Sequence, residues 1–184
     1  MNAPADCMID LLPFTEADID RILPWVKSPE DLYFWTATSF GFPLRREHIL
    51  QHMKECAERG DRLIYKAVLP EDGTVFGYVE LGAIDRVNES LRIGRVLIDP
   101  ACRGHGLGAA MMRAAVDLAF VQFGMHRVDL WVFDVNPRAV ACYERAGFRH
   151  EGICREAFKA PEGYWSFLIM SILKPEWDAL KSRS

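Results

Sequence analysis

A glycine-rich segment in the second half of the chain has the residue types needed to bind a phosphate group. Gly104, Gly106 and Gly108 lie at the start of a stretch, 106–123, that has the length and composition of a helix. Glycine permits positive φ angles and lets the backbone approach a ligand closely. The free N–H groups of a first helical turn face outward at the positive end of the helix dipole. The segment therefore predicts a pyrophosphate site. Glycines that only allow tight helix packing are the alternative.

The same glycines could instead belong to a dinucleotide-binding turn. Gly104, Gly106 and Ala109 fit the pattern G-x-G-x-x-A. Asp129 lies near the offset of about 20 residues at which a ribose-binding acid is found. However, residues 100–103 separate the glycines from the preceding strand, which in that fold runs almost directly into the first glycine. Asp129 also stands early in its predicted strand, so the sequence favours a pyrophosphate site of another kind.

Length and composition restrict the class of protein. The 184 residues suffice for one well-buried domain and are few for two. The net charge of −4 argues against nucleic-acid binding, because neutralising phosphates requires an excess of Lys and Arg. No apolar run reaches the roughly 20 residues that span a bilayer, and Asp6 and Asp10 make the N-terminus unlike a signal peptide. We therefore expect a cytoplasmic protein with no nucleic-acid or membrane partner.

The cysteines and histidines predict neither a disulfide framework nor a metal site. The cysteines are scattered and include no C-x-x-C pair: Cys7, Cys56, Cys102, Cys142 and Cys154. This pattern suggests a reducing compartment. His48 and His52 could face the same way on a helix, but the sequence near them offers no third ligand. We therefore expect no bound metal.

The apolar patterning predicts the elements that must position these residues. We predict strands at 9–14, 62–69, 74–84, 91–98, 127–133, 151–158 and 165–173. We predict helices at 45–59, 106–123 and 137–146. We predict a further helix that Thr15 caps, with Asp18 three residues on, and that Pro24 bends or shortens. Residues 28–44 are predicted to be a loop rich in aromatic rings. This order is typical of an α/β fold with a mixed sheet of about seven strands and helices on both faces.

Several ordered motifs resemble those of the GNAT superfamily of acetyltransferases. The pattern R-x-x-G-x-G at 103–108, preceded by I-D-P, is similar to the pyrophosphate signature of that family. The sequences N-P-R-A at 136–139 and Y-E-R-A-G-F at 143–148 resemble its second cofactor segment. M-H-R-V at 125–128 and S-I-L-K-P-E-W at 171–177 resemble the branch that contains ribosomal-protein N-terminal acetyltransferases. The match runs from about residue 75 to the end of the chain.

The resemblance implies one GNAT domain over 1–184, with an acetyl-CoA-binding core at about 75–150 and an acceptor-binding part at about 1–70. It implies an N-acetyltransferase, a monomer or a homodimer, that moves acetyl from acetyl-CoA to a primary amine. The amine belongs to a protein N-terminus or to a small molecule, and it is expected to attack directly in a ternary complex. A non-catalytic acyl-CoA-binding module, or sensor, is the alternative.

The resemblance also assigns cofactor-binding residues. The strand at 91–98 is expected to splay from its neighbour and to leave backbone groups free for the acetyl group and the pantetheine arm. Backbone amides at 104–109 are expected to hold the pyrophosphate. By position the set is Val96, Leu97 and Ile98 in the strand, Arg103, Gly104, His105, Gly106, Leu107, Gly108 and Ala109 in the glycine-rich segment, and Asn136 and Tyr143 beyond it.

Two side chains are predicted to be catalytic. Tyr143 stands where the family's tyrosine protonates the departing thiolate, a step that a phenol can perform; a packed aromatic residue is the alternative. Arg92 and Trp131 occupy positions where relatives carry an acid, so Glu80 in the preceding strand is the predicted general base. A solvent-facing glutamate is the alternative at that position, and Asp134 is a second choice of base.

The acceptor is expected to bind in the first third of the chain. Tyr33, Trp35 and Phe40 are predicted to form an apolar wall, with Glu30 and Asp31 as an acidic entrance. Such a wall suits an amine on an apolar group, because aromatic faces also attract cations. Rings that only fill the core beneath a loop are the alternative.

Overall fold

The computed structural model describes residues 9–182, which form a seven-stranded sheet. The strands are β1 (Asp10–Pro13), β2 (Arg62–Val68), β3 (Val75–Asp85), β4 (Ser90–Ile98), β5 (Arg127–Phe133), β6 (Arg149–Ala160) and β7 (Gly163–Leu173). The helices are α1 (Ile19–Ile22), α2 (Pro29–Thr36), α3 (Arg46–Arg59), α4 (Leu107–Asp117), α5 (Pro137–Arg145) and α6 (Lys174–Lys181). Cys7 and most of the N-terminus that was compared with a signal peptide lie outside the described residues.

The sheet has the order β1-β2-β3-β4-β5-β7-β6. β4 and β5 run parallel, and the other neighbouring strands run antiparallel. Each face carries its own buried cluster, since successive strand residues point to opposite sides: on β3, Tyr78 packs with α1–α3, whereas Val79 packs with α4 and α5. The predicted α/β fold, with a mixed sheet covered on both faces, is confirmed.

Two helices differ from the sequence prediction. α2 lies inside the segment predicted to be a loop. Ser28 caps this helix by accepting a hydrogen bond from the Asp31 N–H at 3.0 Å, and Pro29 occupies its first turn. Both residues are typical of a helix start. Aromatic residues lie on several sides of this helix, however, so its sequence lacks the one-sided apolar pattern from which a helix is predicted. α6 follows β7 directly, and its Trp177 is buried against α4.

The strands β4 and β5 separate along their length. Their register pairs are Ser90 with Arg127, Leu91 with Val128, and Arg92 with Asp129. Beyond the third pair the described residues of the two strands pair no further, although β4 stays paired with β3 as far as Ile98. This divergence is the splay that the resemblance to the GNAT superfamily implies.

Candidate active site

The splay leaves one edge of β4 free of strand partners. The free edge begins after Arg92. It includes Leu97 and Ile98, which pair with β3 on their other side, and Val96, which lies in the irregular stretch between Gly94 and Leu97. The register between β3 and β4 shifts near Arg95, whose φ of 45° marks a bulge. Bulges re-aim backbone groups next to active sites, so this edge can hydrogen-bond an extended amide-containing ligand.

The glycine-rich segment lies directly beyond the end of β4. Asp99 caps the connecting turn by accepting from the Ala101 N–H at 2.9 Å. Gly104 and Gly106 have φ angles of 83° and 81°, and α4 begins at the next residue, Leu107. The segment from Arg103 to Gly106 is exposed, so its N–H groups and those of the first turn of α4 form a socket for an anion.

Gly108 has a packing role as well. A Cβ placed there would lie 3.0 Å from Sγ of Cys142 on α5. This contact brings the two helices close together at the end of the splay. Close helix packing, the alternative interpretation of the glycines, therefore applies to Gly108. Gly104 and Gly106 instead adopt the positive φ angles of the turn.

The second predicted segment contributes Asn136 and Tyr143. Asn136 starts α5, and its Oδ1 accepts from the Ala139 N–H at 3.2 Å. Tyr143 is 9% exposed and packs on Phe148 within the core beneath α4. Burial raises the pKa of the Tyr143 phenol above its ordinary value. The phenol therefore carries its proton throughout the neutral range, which a proton donor requires.

Glu80 lies at the centre of a buried cluster of charged and polar side chains. Its carboxylate accepts hydrogen bonds from Arg62 at 2.6 Å, Arg95 at 2.8 Å and the hydroxyl of Tyr78. Nε2 of His52 lies 2.8 Å from the same carboxylate. Burial by itself raises the pKa of Glu80, but the hydrogen bond from His52 and the charge of Arg95 outweigh it and lower the pKa to about 2.

These surroundings do not suit Glu80 to the predicted role of general base. Its side chain is fully buried, and both oxygens already accept hydrogen bonds. A carboxylate with a pKa of about 2 is a weak proton acceptor at neutral pH. The alternative suggested by the sequence, a solvent-facing glutamate, is also wrong, because the side chain is buried. Glu80 instead holds Arg95 at the bulge of β4.

The three predicted acceptor residues divide between two places. Trp35 and Phe40 lie together, with ring centroids 6.0 Å apart, and Trp35 donates its Nε1–H to the Arg95 carbonyl at 2.8 Å. Tyr33 faces away from them towards Trp165, with centroids 6.4 Å apart. It joins a second group of rings from α2, β5, β6 and β7. α2 thus spans from the bulge of β4 to the opposite side of the splay.

Arg92 and Trp131, which replace the expected acids, contact each other across the splay. The guanidinium carbon of Arg92 lies 4.4 Å from the centroid of the Trp131 ring, which is a cation–π contact. Arg92 also forms an ion pair with Asp129. The pair occupies the closed end of the splay, where β4 and β5 are still joined.

The Acetyltransferase (GNAT) family model matches residues 27–148. The chain belongs to this family. The matched range includes the splay, the glycine-rich segment and Tyr143. The family membership predicted from the sequence motifs is thereby confirmed.

Relatives of known name include two groups of acetyltransferases. The chain is 31% identical over 103 residues to a spermidine N(1)-acetyltransferase of Vibrio cholerae, covering 56% of this chain and 59% of that protein. It is 30% identical over 116 residues to YdaF of Bacillus subtilis, whose name proposes a ribosomal N-acetyltransferase, covering 63% of each. The match thus spans less than two thirds of either relative.

The same fold occurs in a crystal structure of spermidine N-acetyltransferase from Vibrio cholerae in complex with CoA and spermine. The two structures superpose with a TM-score of 0.80 over 92% of this chain and 98% of that one, at 21% sequence identity. At this identity the likeness concerns the GNAT fold alone.

Sequence reasoning missed the partners of Glu80 and most of the second ring group. The missed partners of Glu80 are Arg62, Tyr78 and Arg95, together with His52, which the sequence presents only as a possible metal ligand. Period-two alternation places Tyr78 and Glu80 on one face of a strand, but no sequence signal shows which helix covers that face.

Within residues 9–182, no three His, Cys, Asp or Glu side chains are arranged to hold a metal ion. In the same range, no helix is both long and apolar enough to cross a bilayer.

Proposed function

We propose that this GNAT protein is an acetyl-CoA-dependent N-acetyltransferase that acts on a primary amine. The observation that carries the proposal is the adjacency of two features: the free edge of β4 ends where the glycine-rich start of α4 begins. One extended ligand with an amide-containing arm and a pyrophosphate fits both features at once. Coenzyme A has this chemistry.

The backbone of Val96 to Ile98 then binds the pantetheine arm and the acetyl carbonyl. The N–H groups from Gly104 to Ala109 bind the pyrophosphate at the positive end of the α4 dipole. Asn136, which caps α5 at the far side of the splay, contacts the arm. These are the cofactor-binding residues that the resemblance implies.

The chemical step needs an oxyanion donor and an acid. A backbone N–H near Ile98, fixed in the strand before reaction, stabilises the tetrahedral oxyanion as charge develops. Tyr143, held protonated by its burial, donates its proton to the departing thiolate. The amine attacks as the neutral base, and the proton that its nitrogen then loses passes through solvent and returns the Tyr143 phenolate to its protonated form. We do not assign Glu80 as the base. A direct ternary complex remains part of the proposal.

The names of the relatives favour two different classes of acceptor. The names of the spermidine acetyltransferases favour a polyamine, and the name of YdaF favours a protein N-terminus. Both are primary amines, which is the level at which the function is proposed. A monomeric or dimeric state and a cytoplasmic location also remain proposals.

Thiol release from acetyl-CoA with a panel of amines tests this function. A matched pair of variants controls the cofactor site: Gly104→Asp and Gly73→Asp place a carboxylate at glycines with φ angles of 83° and 72°, both with open space at Cβ. The backbone cost is similar, but only Gly104 lies in the proposed socket. Gly104→Asp should abolish CoA binding, whereas Gly73→Asp should keep it.

Three results would contradict the proposal. Equal CoA affinity in both glycine variants would show that the glycine-rich segment does not bind CoA. CoA binding without turnover of any amine would indicate the non-catalytic acyl-CoA-binding module instead. Binding of a nicotinamide or flavin dinucleotide without CoA binding would restore the dinucleotide interpretation.

A further inference from the structure

Seven aromatic rings from four elements pack together beside the splay. This ring cluster consists of Tyr33, Phe34, Trp131, Phe133, Phe158, Trp165 and Phe167. Its shortest contact is the stacked pair Phe133 and Phe167, with centroids 4.5 Å apart. Phe34 stacks on Trp165 at 5.5 Å and so joins α2 to β7.

The ring cluster borders the free edge of β4. Trp131 and Phe133 lie on β5 beyond Asp129, the last residue that pairs with β4. Val132, between them, packs in the core on the opposite face of the sheet. The two rings therefore face the same side as α2, where Trp35 contacts the bulge of β4. An amine that reaches the proposed acetyl site from this side passes along the rings.

The cluster is not closed to solvent. Trp131 is 45% exposed. Tyr33, Phe34, Phe158, Trp165 and Phe167 are partly exposed. Rings that only filled a core would be buried as completely as Phe133, which is 5% exposed. The surface offered beside the splay is therefore both aromatic and accessible.

Carboxylates near the cluster are engaged with other groups. Asp129 pairs with Arg92 and lies 3.8 Å from Arg127. Asp134, next to Phe133, accepts from the Ser166 N–H at 3.1 Å. A polyamine carries several charges and needs several available carboxylates, whereas here an arginine lies on the face of Trp131. The positive charge of Arg92 on the face of Trp131 therefore favours an acceptor with a single amine over a polyamine at this end of the splay.

Asp31, one of the two acidic residues predicted at the entrance, helps to start α2. Its carboxylate accepts hydrogen bonds from the backbone N–H of Lys27 and the hydroxyl of Ser28, at 3.1 Å and 3.0 Å. Both donors are neutral, so the carboxylate keeps its charge, and Glu30 beside it is exposed. The entrance can therefore attract the ammonium group of an amine.

We propose that the acceptor is a primary amine joined by a short linker to an aromatic or apolar body, and that the ring cluster binds this body. The proposal rests on the N-acetyltransferase function proposed above and specifies its substrate class. An apolar surrounding disfavours the ammonium form, since desolvation penalises the charged state. An amine held beside the rings therefore releases its proton to solvent at a lower pH than in bulk water.

A comparison of three amines separates the effect of an apolar body on the acceptor from the effect of additional positive charges. The amines are phenethylamine, ethylamine and spermidine. Burying a phenyl ring should raise kcat/KM for phenethylamine about 10- to 100-fold over ethylamine. Spermidine, which has several charges and no ring, should be the poorer substrate relative to phenethylamine. A larger kcat/KM for spermidine than for phenethylamine overturns the proposal.

Two neighbouring residues provide a matched pair of variants. Trp165 belongs to the cluster, whereas Tyr164 is 61% exposed and points to the other face of β7. Trp165→Ala should lower kcat/KM for phenethylamine by about 10-fold and leave that for ethylamine nearly unchanged. Tyr164→Ala should leave both unchanged, and Trp165→Phe should restore most of the lost preference. An equal loss for both amines in Trp165→Ala overturns the proposal.

A binding measurement distinguishes failure of the substrate class from failure of the function. Calorimetric titration of phenethylamine into the CoA-saturated wild type and Trp165→Ala needs no turnover. Binding that the substitution weakens, without acetylation of any amine, supports the ring site and contradicts the transferase function. Acetylation of spermidine alone, with no phenethylamine binding, keeps the function and overturns the substrate class.

Discussion

Oε2 of Glu80 lies 2.8 Å from Nη1 of Arg95, beside the bulge at which β4 turns along the splay. Arg95 adopts a φ of 45°, a conformation that costs a non-glycine residue about 1–3 kcal/mol. Glu80 holds its side chain and Trp35 holds its carbonyl. Two partly buried contacts therefore keep the strand in the shape that aims the proposed acetyl-binding groups.

Glu80→Gln should lower kcat without changing the shape of its pH profile. The carboxylate is ionised throughout the neutral range, because its pKa is about 2, so no titration is lost there. Relaxation of the bulge should lower kcat by about 10-fold or more. Glu58→Gln, at a side chain that is 64% exposed, is the control. A mutant whose profile loses its ascending limb would return Glu80 to the role of base.

The same carboxylate should make stability sensitive to acid. Its pKa is about 4.5 in the unfolded chain and about 2 in the folded protein. A lowered folded pKa stabilises the protein fully above the unfolded value, and this contribution is lost as the pH falls from about 4.5 to about 2. Urea unfolding of wild type and Glu80→Gln at several pH values measures the difference. A stability gap that stays constant below pH 4.5 would contradict the assignment.

Tyr143→Phe should remove the proposed acid and keep the fold. The ring remains packed on Phe148, and only the hydroxyl is lost. We expect kcat to fall about 100-fold, with CoA affinity nearly unchanged. Tyr65→Phe is the control, since burial also raises the pKa of that phenol but it lies on β2. Equal turnover in both variants, under conditions where chemistry limits the rate, would reduce Tyr143 to a packing residue.

Trp35→Phe should loosen the bulge by removing one hydrogen bond. The Nε1–H of Trp35 is lost from the Arg95 carbonyl, which should cost about 1–3 kcal/mol of stability because the carbonyl is left unpaired. KM for acetyl-CoA should rise in parallel. Trp25→Phe tests for mere loss of ring volume, since Trp25 and Trp35 are each 5% exposed. A rise in KM of the same size in both variants would count against a specific role for the hydrogen bond.

The sequence alone determined the features whose chemistry is local in the chain. A phosphate socket needs a few consecutive N–H groups at one helix start, so Gly104, His105 and Gly106 suffice to predict one there. The helix predicted at 137–146 is local for the same reason. The alternation of apolar residues predicted the strands because period two distinguishes the two faces of a sheet.

Only the tertiary structure decided the role of Glu80 and the position of the rings. The partners of Glu80 come from α3, β2, β3 and β4. Their hydrogen bonds and charges make its carboxylate a weak base that anchors the bulge. The ring cluster draws on α2, β5, β6 and β7, which are separated in sequence by up to about 130 residues. A single sequence does not indicate which distant faces pack together. The burial of a residue and the pKa shift of its side chain depend on those contacts as well as on residue type.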